Sequence, residues 1–439
     1  MKKLIAWMLA IASCLGAMPA AALDATVPGL GTPISLSGFG TAGLAVSDKS
    51  YTYQRFVNND GTLRRDSVLG VQLDAKLHND FSITLQGKLA PSLKNDKNVD
   101  PSLSWAFLSW RPTNDWLVRA GRLRIPLYIN SENMDVGTTF DFARLPAEVY
   151  TTAQTTDGDG LFISKTWDIG ANEVTLAGYG GTTETHYRWY RRDDVPSLSL
   201  SSGPYFVHVR QNTYGMVLTL QRGDDTYRIS AHDTYTKIPD KNYSMPVSFP
   251  YVSVVPGVGY YQVSNVLPGP GVSMKSNIHA LVYTAGADVQ IGYGFRVMGE
   301  YVYRNVHDIL TGPDSMSGYI ALLKPIGAWT PYISVATLQS MSQTRKLYNN
   351  VNNNRVPNYN AITAKVNAAQ RAGADGIMAF DQTTVALGTS YRISPTSKVK
   401  SEWARTKTGD MSFFVDAPQG GESGGEVINV FSLSYNYAF

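Results

Sequence analysis

The chain has 439 residues, 43% hydrophobic and 17% charged, with a formal net charge of +3, which gives no reason to expect a nucleic acid or other polyanion as partner. Its single cysteine, Cys14, excludes intrachain disulfides and multi-thiolate metal sites. Beyond Met18 no apolar run reaches the roughly twenty residues that a membrane-spanning helix needs, whereas the 26 tyrosines suit a membrane–water boundary, each with an apolar ring and a polar tip.

The chain opens Met1-Lys2-Lys3, is apolar from Leu4 to Met18, and then reads Pro19-Ala20-Ala21-Ala22. A cationic start, a short apolar stretch and small residues at the end are the parts of a secretory leader, with cleavage expected after Ala22. Residues 1–22 are then the leader and 23–439 a single mature domain without cysteine. Ile11-Ala12-Ser13-Cys14 also has the form of a lipoprotein cleavage box, but using it would leave an unusually short apolar segment and ignore the better small-x-small site.

From there the pattern is alternation with a period of two, the sign of half-buried strands. Strands are predicted at 34–46, 67–77, 81–89, 103–110, 115–121, 160–167, 173–181, 213–221, 226–236, 276–288, 294–304, 316–324, 329–339, 382–393, 397–406 and 427–439, about sixteen in all. In the second of these Leu69, Val71 and Leu73 alternate with Gly70, Gln72 and Asp74. The phase of 103–110 and of 160–167 does not resolve, because Trp105, Phe107, Leu108 and Trp110, and Leu161, Phe162 and Ile163, fall on both faces. Connections alternate between short turns (78–80, 112–114, 168–172, 223–225, 291–293, 325–328, 394–397) and longer links (47–66, 90–102, 122–159, 182–212, 237–275, 305–315, 340–381, 407–426). Long links on one side and short turns on the other, with an apolar outward face, are expected of a closed antiparallel transmembrane β-barrel. A soluble sandwich or propeller also alternates, but its outer face should be polar. The fold class is therefore all-β, one barrel, with only about a dozen mature residues before the first strand and so no room for a plug domain.

The last strand reads Val427, Asn429, Phe431, Leu433, Tyr435, Tyr437, Phe439 on one face and Ile428, Val430, Ser432, Ser434, Asn436, Ala438 on the other. A terminal Phe439 preceded by Tyr435 and Tyr437 resembles the final strand of Gram-negative outer-membrane proteins, which implies recognition by the barrel-assembly machinery. A second resemblance rests on Leu36-Ser37-Gly38-Phe39-Gly40-Thr41, Trp105-Ala106-Phe107-Leu108, Trp110-Arg111-Pro112-Thr113, Arg119-Ala120-Gly121-Arg122-Leu123-Arg124-Ile125-Pro126, Val136-Gly137, Arg144-Leu145-Pro146-Ala147-Glu148-Val149-Tyr150 and Asp157-Gly158. Together these resemble a family of proteobacterial porins, best over 34–165 and at the terminal strand. The resemblance implies an outer-membrane channel for passive diffusion of small hydrophilic solutes, a homotrimer, contact with outer-membrane lipid and lipopolysaccharide, and a third external loop, 122–159, folded into the pore.

On that reading Glu132, Asp135, Asp141 and Glu148 are acidic constriction residues, and Arg122, Arg124 and Arg144 basic residues of the same loop. Acids facing bases across water would set up a transverse field for polar solutes. The same charges could instead pair and fix the loop, above all Arg144 and Glu148 beside Pro146. The polar phase of the strands places Lys76, Lys88, Arg119, Arg228, Arg296, Arg304, Arg392, Lys398 and Lys400 on the lumen wall, with Asp74, Glu300 and Glu402. The basic excess predicts a mild anion preference. An alternative function is a solute-specific channel for organic acids or sugars; a third is a barrel whose interior is blocked. Residues 186–194, His-Tyr-Arg-Trp-Tyr-Arg-Arg-Asp-Asp, could stack on sugars or bind lipopolysaccharide phosphates or a neighbouring protomer, and 361–372 is a possible helix after an asparagine-rich stretch. The six histidines have no metal-ligand spacing and no Gly-x-Ser-x-Gly occurs, so no enzyme, cofactor or metal site is expected.

Overall fold

The computed structural model describes residues 23–26, 33–151, 157–196, 200–241 and 243–439; the expected leader lies outside them. Sixteen strands form one antiparallel sheet: β1 Pro33–Ser47, β2 Val68–Lys76, β3 Phe81–Pro91, β4 Val99–Trp110, β5 Trp116–Arg124, β6 Asp157–Ile169, β7 Asn172–Arg191, β8 Gly203–Arg222, β9 Asp225–Lys237, β10 Asn277–Ile291, β11 Phe295–His307, β12 Ser315–Leu323, β13 Trp329–Ser340, β14 Phe380–Ser394, β15 Ser397–Ser412 and β16 Val427–Ala438. Each strand pairs with its chain neighbours, and β1 pairs both with β2, from Ile34↔Ala75 to Thr41↔Val68, and with β16, from Phe39↔Ala438 to Ser47↔Val430. The sheet thus closes on itself and leaves no edge among these strands, the condition for a sheet to stand in lipid. A short strand, Leu23–Thr26, pairs with the start of β1.

The outward phase carries bare apolar side chains: Val71 is 52% exposed, Ile229 56% and Ile320 60%. The opposite phase holds Gln72, Thr84, Gln86, Ser230, Ser317 and Ser434. Apolar outside and polar inside inverts the soluble pattern and suits lipid around a hydrated interior. Among the described residues no helix is long and apolar enough to cross a membrane.

Short turns and long connections do alternate between the two ends of the barrel. Two details differ from expectation. The predicted link 182–212 is mostly strand, since β7 and β8, 20 residues each, pair as far as Gly203↔Arg191. In β4 the partner of Gln86 is Trp105 and that of Gly87 is Leu103, so Ser104 is a bulge residue. A bulge shifts the face by one residue: Leu103 points outward before it and Ala106, Leu108 and Trp110 after it, which is why no single phase fits 103–110. In β6, Leu161, Ile163 and Trp167 are the outward set.

The terminal residue completes the seam. Phe439 N donates to Gly38 O (2.9 Å) and Gly38 N to Phe439 O (3.0 Å). The Phe439 ring lies over Gly38 so closely that a Cβ there would stand 2.5 Å from Cε1. Gly38→Val, which raises strand propensity, is therefore expected to lower the yield of heat-modifiable barrel by unseating the ring. Wild-type yield on unboiled gels would show that the seat is dispensable.

Candidate functional site

Residues 125–156, between β5 and β6, are rich in apolar side chains, which exposed loops avoid. Tyr128, Phe142, Leu145, Val149 and Tyr150 are buried against Met298, Val302, Tyr319, Leu323, Tyr332 and Ala336, on the face of β11–β13 opposite the bare Tyr301, Ile320 and Ile333. A short helix, α1 (Ala147–Tyr150), follows Pro146 and is buried along its length.

Polar side chains from the strands satisfy the backbone and carboxylates of this segment, as burial demands. Arg228 donates to the carbonyls of Tyr128 (2.9 Å) and Pro126 (2.8 Å). Glu300 accepts from Ile129 N (2.8 Å), the Tyr319 hydroxyl (3.0 Å) and the Tyr150 hydroxyl. Lys400, 1% exposed, donates to Phe142 O (2.9 Å) with the Phe140 ring centroid 3.8 Å from Nζ. The Tyr332 hydroxyl donates to Glu402 (2.7 Å) and accepts from Ala143 N (2.9 Å). Glu148, 2% exposed, accepts from Gln382 (2.6 Å) and Thr384 (2.5 Å). At Gly137 the segment reaches the β1–β16 seam, where a Cβ would collide with Asn436 Oδ1 at 1.9 Å.

Three of the expected acids, Glu132, Asp135 and Asp141, meet basic side chains directly, whereas Glu148 has only the neutral Gln382 and Thr384 and does not pair with Arg144. Asp135 lies between Lys88 and Arg124, 2.7 Å from each, and Arg124 also holds Asp157 at 2.5 Å. Asp141 accepts from Lys398 (2.9 Å) and Ser390 (2.8 Å), with Arg296 at 3.8 Å and itself chelated by Asp288. Glu132, more exposed, stands 3.4 Å from Arg119, and Arg144 stands 3.2 Å from Asp66. Burial raises the Asp135 carboxyl, but Arg124 and Lys88 outweigh it and hold it well below the ordinary range; Lys398 does the same for Asp141. Burial, aided by Arg65 and opposed by Asp66, pushes Arg144 down to about 10.

Several expected wall residues therefore have other surroundings. Arg228 and Lys400 hold loop carbonyls instead of facing open water, because the segment 125–151 covers them. Arg122 is not in the loop: it ends up on the outward phase of β5, bonded to Leu103 O (2.6 Å) and paired with Asp159 (3.1 Å). Lys76 and Arg392 are exposed, and Arg304 donates to Ser315 Oγ (3.0 Å). Sequence reasoning missed the tethering hydroxyls of Tyr150, Tyr319 and Tyr332; for Tyr319 and Tyr332 the signal was an aromatic on the polar phase of a strand, and Tyr150, in α1, gave none. The 186–194 cluster is largely consumed internally. Arg188 pairs with Asp96 (2.9 Å) and Asp416 (2.5 Å), Arg192 with Asp375 (2.5 Å) and Glu422 (2.7 Å), and Arg191 caps the Trp189–Tyr205 stack. The expected helix is α3 (Ala361–Ala374), capped by Asn360; α2 (Ser342–Asn353) was not anticipated.

No protein-family model matches the chain, and no curated protein matches it in sequence. Among solved structures it is similar to OprB of Pseudomonas putida (TM-score 0.50, 11% identity, 92% of this chain and 94% of that one). An anion-selective porin from Comamonas acidovorans matches at TM-score 0.49 and 12% identity over 93% of this chain and 100% of its own. The trimer form of OmpT, an outer-membrane protein of Vibrio cholerae, matches at 0.49 and 12% over 93% and 99%. At such identities the likeness speaks for the fold alone.

Proposed function

We propose that this chain, whose fold is that of the Gram-negative outer-membrane porins, forms an aqueous channel for passive diffusion of small hydrophilic solutes, with residues 125–151 as its internal constriction. The observation that carries the reading is the tethering of that segment, by buried or half-buried side chains of β9, β11, β13, β14 and β15, to the polar faces of a closed barrel. A loop fixed in this way narrows a channel without moving. On this reading 1–22 is removed as a leader, the barrel is inserted by the assembly machinery through Tyr435, Tyr437 and Phe439, and it sits as a homotrimer among outer-membrane lipid and lipopolysaccharide. The purified protein in a planar bilayer should conduct in plain salt; a barrel that never conducts would refute the proposal. Reversal potential in a salt gradient tests a mild anion preference, which the exposed Lys76 and Arg392 favour; cation selectivity would sink it. A solute-specific channel is the second reading, favoured because the segment touches the wall from Lys88 in β3 to Asn436 in β16.

The clamp residues set an expected pH response. Asp135 and Asp141 have folded values below the ordinary carboxylate value of about 3.9, so their stabilisation is present above that value and is lost as pH falls through the lower folded ones. These two pairs should hold from about pH 7 to 4 and loosen only below that range, seen as a noisier current; a current still quiet well below about pH 4 would refute it. A step between about pH 5 and 6 would belong to the other carboxylates that hold the loop, Glu300 and Glu402.

A further inference from the structure

On the outer side of residues 125–128, strands β7 to β12 line a space of ≈ 90 Å³. Leu127 and Tyr128 line it from the segment, and Met245 and Met378 from the long connections. Its two sides differ in chemistry. One is hydroxyl-bearing, with threonines contributed by β7, β8 and β9; the other is aliphatic, with Ile278, Val282 and Val302. A single cation lines it, Arg304, whose Nη2 donates to Ser315 Oγ at 3.0 Å. The carboxylate of Asp314, which accepts from Val306 N (3.4 Å), lies near enough to offset part of that charge.

One group in the lining is unexplained by the fold. Thr185 is 3% exposed, and its Oγ1 has no hydrogen-bond partner among the described residues. Its neighbour on the same face, Tyr187, is already an acceptor for Gln211 at 2.8 Å. A buried hydroxyl without a partner costs stability and persists where something else bonds it.

We infer that this chamber is a binding subsite for short-chain aliphatic monocarboxylates, an assignment that rests on the channel reading and narrows it to a solute class. Arg304 takes the carboxylate, the Thr185 hydroxyl supplies a further donor to the polar end, and the alkyl chain lies on the aliphatic side. Size favours short acids: a cavity of roughly 150 Å³ is known to hold a benzene ring, and this space is smaller, ≈ 90 Å³. A dicarboxylate would press its second charge on the aliphatic wall, which costs far more than the first gains. A neutral sugar of comparable polarity would leave that wall unfilled.

Calorimetric titration of the detergent-solubilised full-length barrel with sodium propionate, against propionamide as the neutral isostere, tests this. Propionate should bind saturably and propionamide should not. Arg304→Gln should weaken binding at least about tenfold, Thr185→Val by less, and Ala280→Phe, which fills the chamber from β10, should abolish it, each with unchanged heat-modifiable migration. Equal binding of both ligands, or indifference to Arg304→Gln and Ala280→Phe, overturns the inference. Conductance in plain salt, measured on the same samples, separates it from the channel reading. A conducting barrel that ignores propionate loses the subsite alone. A barrel that binds propionate and never conducts loses the channel and keeps the subsite.

Discussion

Replacing residues 127–150 by a short Gly/Ser linker is expected to raise single-channel conductance severalfold while leaving the sixteen-strand barrel and its heat-modifiable migration intact. The strands owe their pairing to each other, from β1↔β16 round to β15↔β16, and not to this segment. Removing it returns Lys400, Glu300 and Glu402 to water, where ionised groups are well solvated, so the deletion leaves no uncompensated buried charge behind. Solute size exclusion should relax in the same variant, measured as the rate of entry of sugars of increasing mass into proteoliposomes. Unchanged conductance would mean that the segment lies outside the conducting path, and the constriction assignment would fall with it.

Glu300→Ala should be the most damaging single substitution in the tether. It orphans three donors at once: Ile129 N, the Tyr319 hydroxyl and the Tyr150 hydroxyl. Each buried group left without a partner costs about 1–3 kcal/mol, less where water enters the space vacated by the side chain. The temperature at which the folded band converts to the unfolded one should drop clearly, and open-channel current should become noisy as the segment loosens. Glu300→Gln keeps one carbonyl acceptor and should fall between wild type and Ala. A Glu300→Ala variant with wild-type melting and a quiet current would show that packing of Tyr128, Phe142 and Val149 alone holds the segment.

The barrel is legible in the sequence because lipid and water enforce opposite choices at successive residues. Leu69-Gly70-Val71-Gln72-Leu73-Asp74 gives away both the strand and its face. The pattern fails where geometry breaks the period: the extra residue Ser104 shifts β4 by one, and neither half alone announces the shift. It fails again in the far halves of β7 and β8, which continue as strands through residues that do not alternate apolar with polar, so 182–212 reads as a loop. The charges of the site were nameable by type and phase, but their partners were not. Asp141 and Lys398 are 257 positions apart, and nothing local in either stretch points to the other. The same holds for Lys400, an unremarkable member of an alternating strand whose burial is imposed by Phe140 and Phe142.

The β1–β16 seam pairs Phe39 with Ala438, and so joins the first and last strands of the barrel. The barrel therefore has no closed intermediate: until the last strand is delivered, both the first and the fifteenth strands are open edges that pair with any available strand. Closing a contact of this sequence separation is slow, and the exposed apolar band invites aggregation for the whole interval. A truncation that removes β16 should then fail by sticking to other chains and not by unfolding.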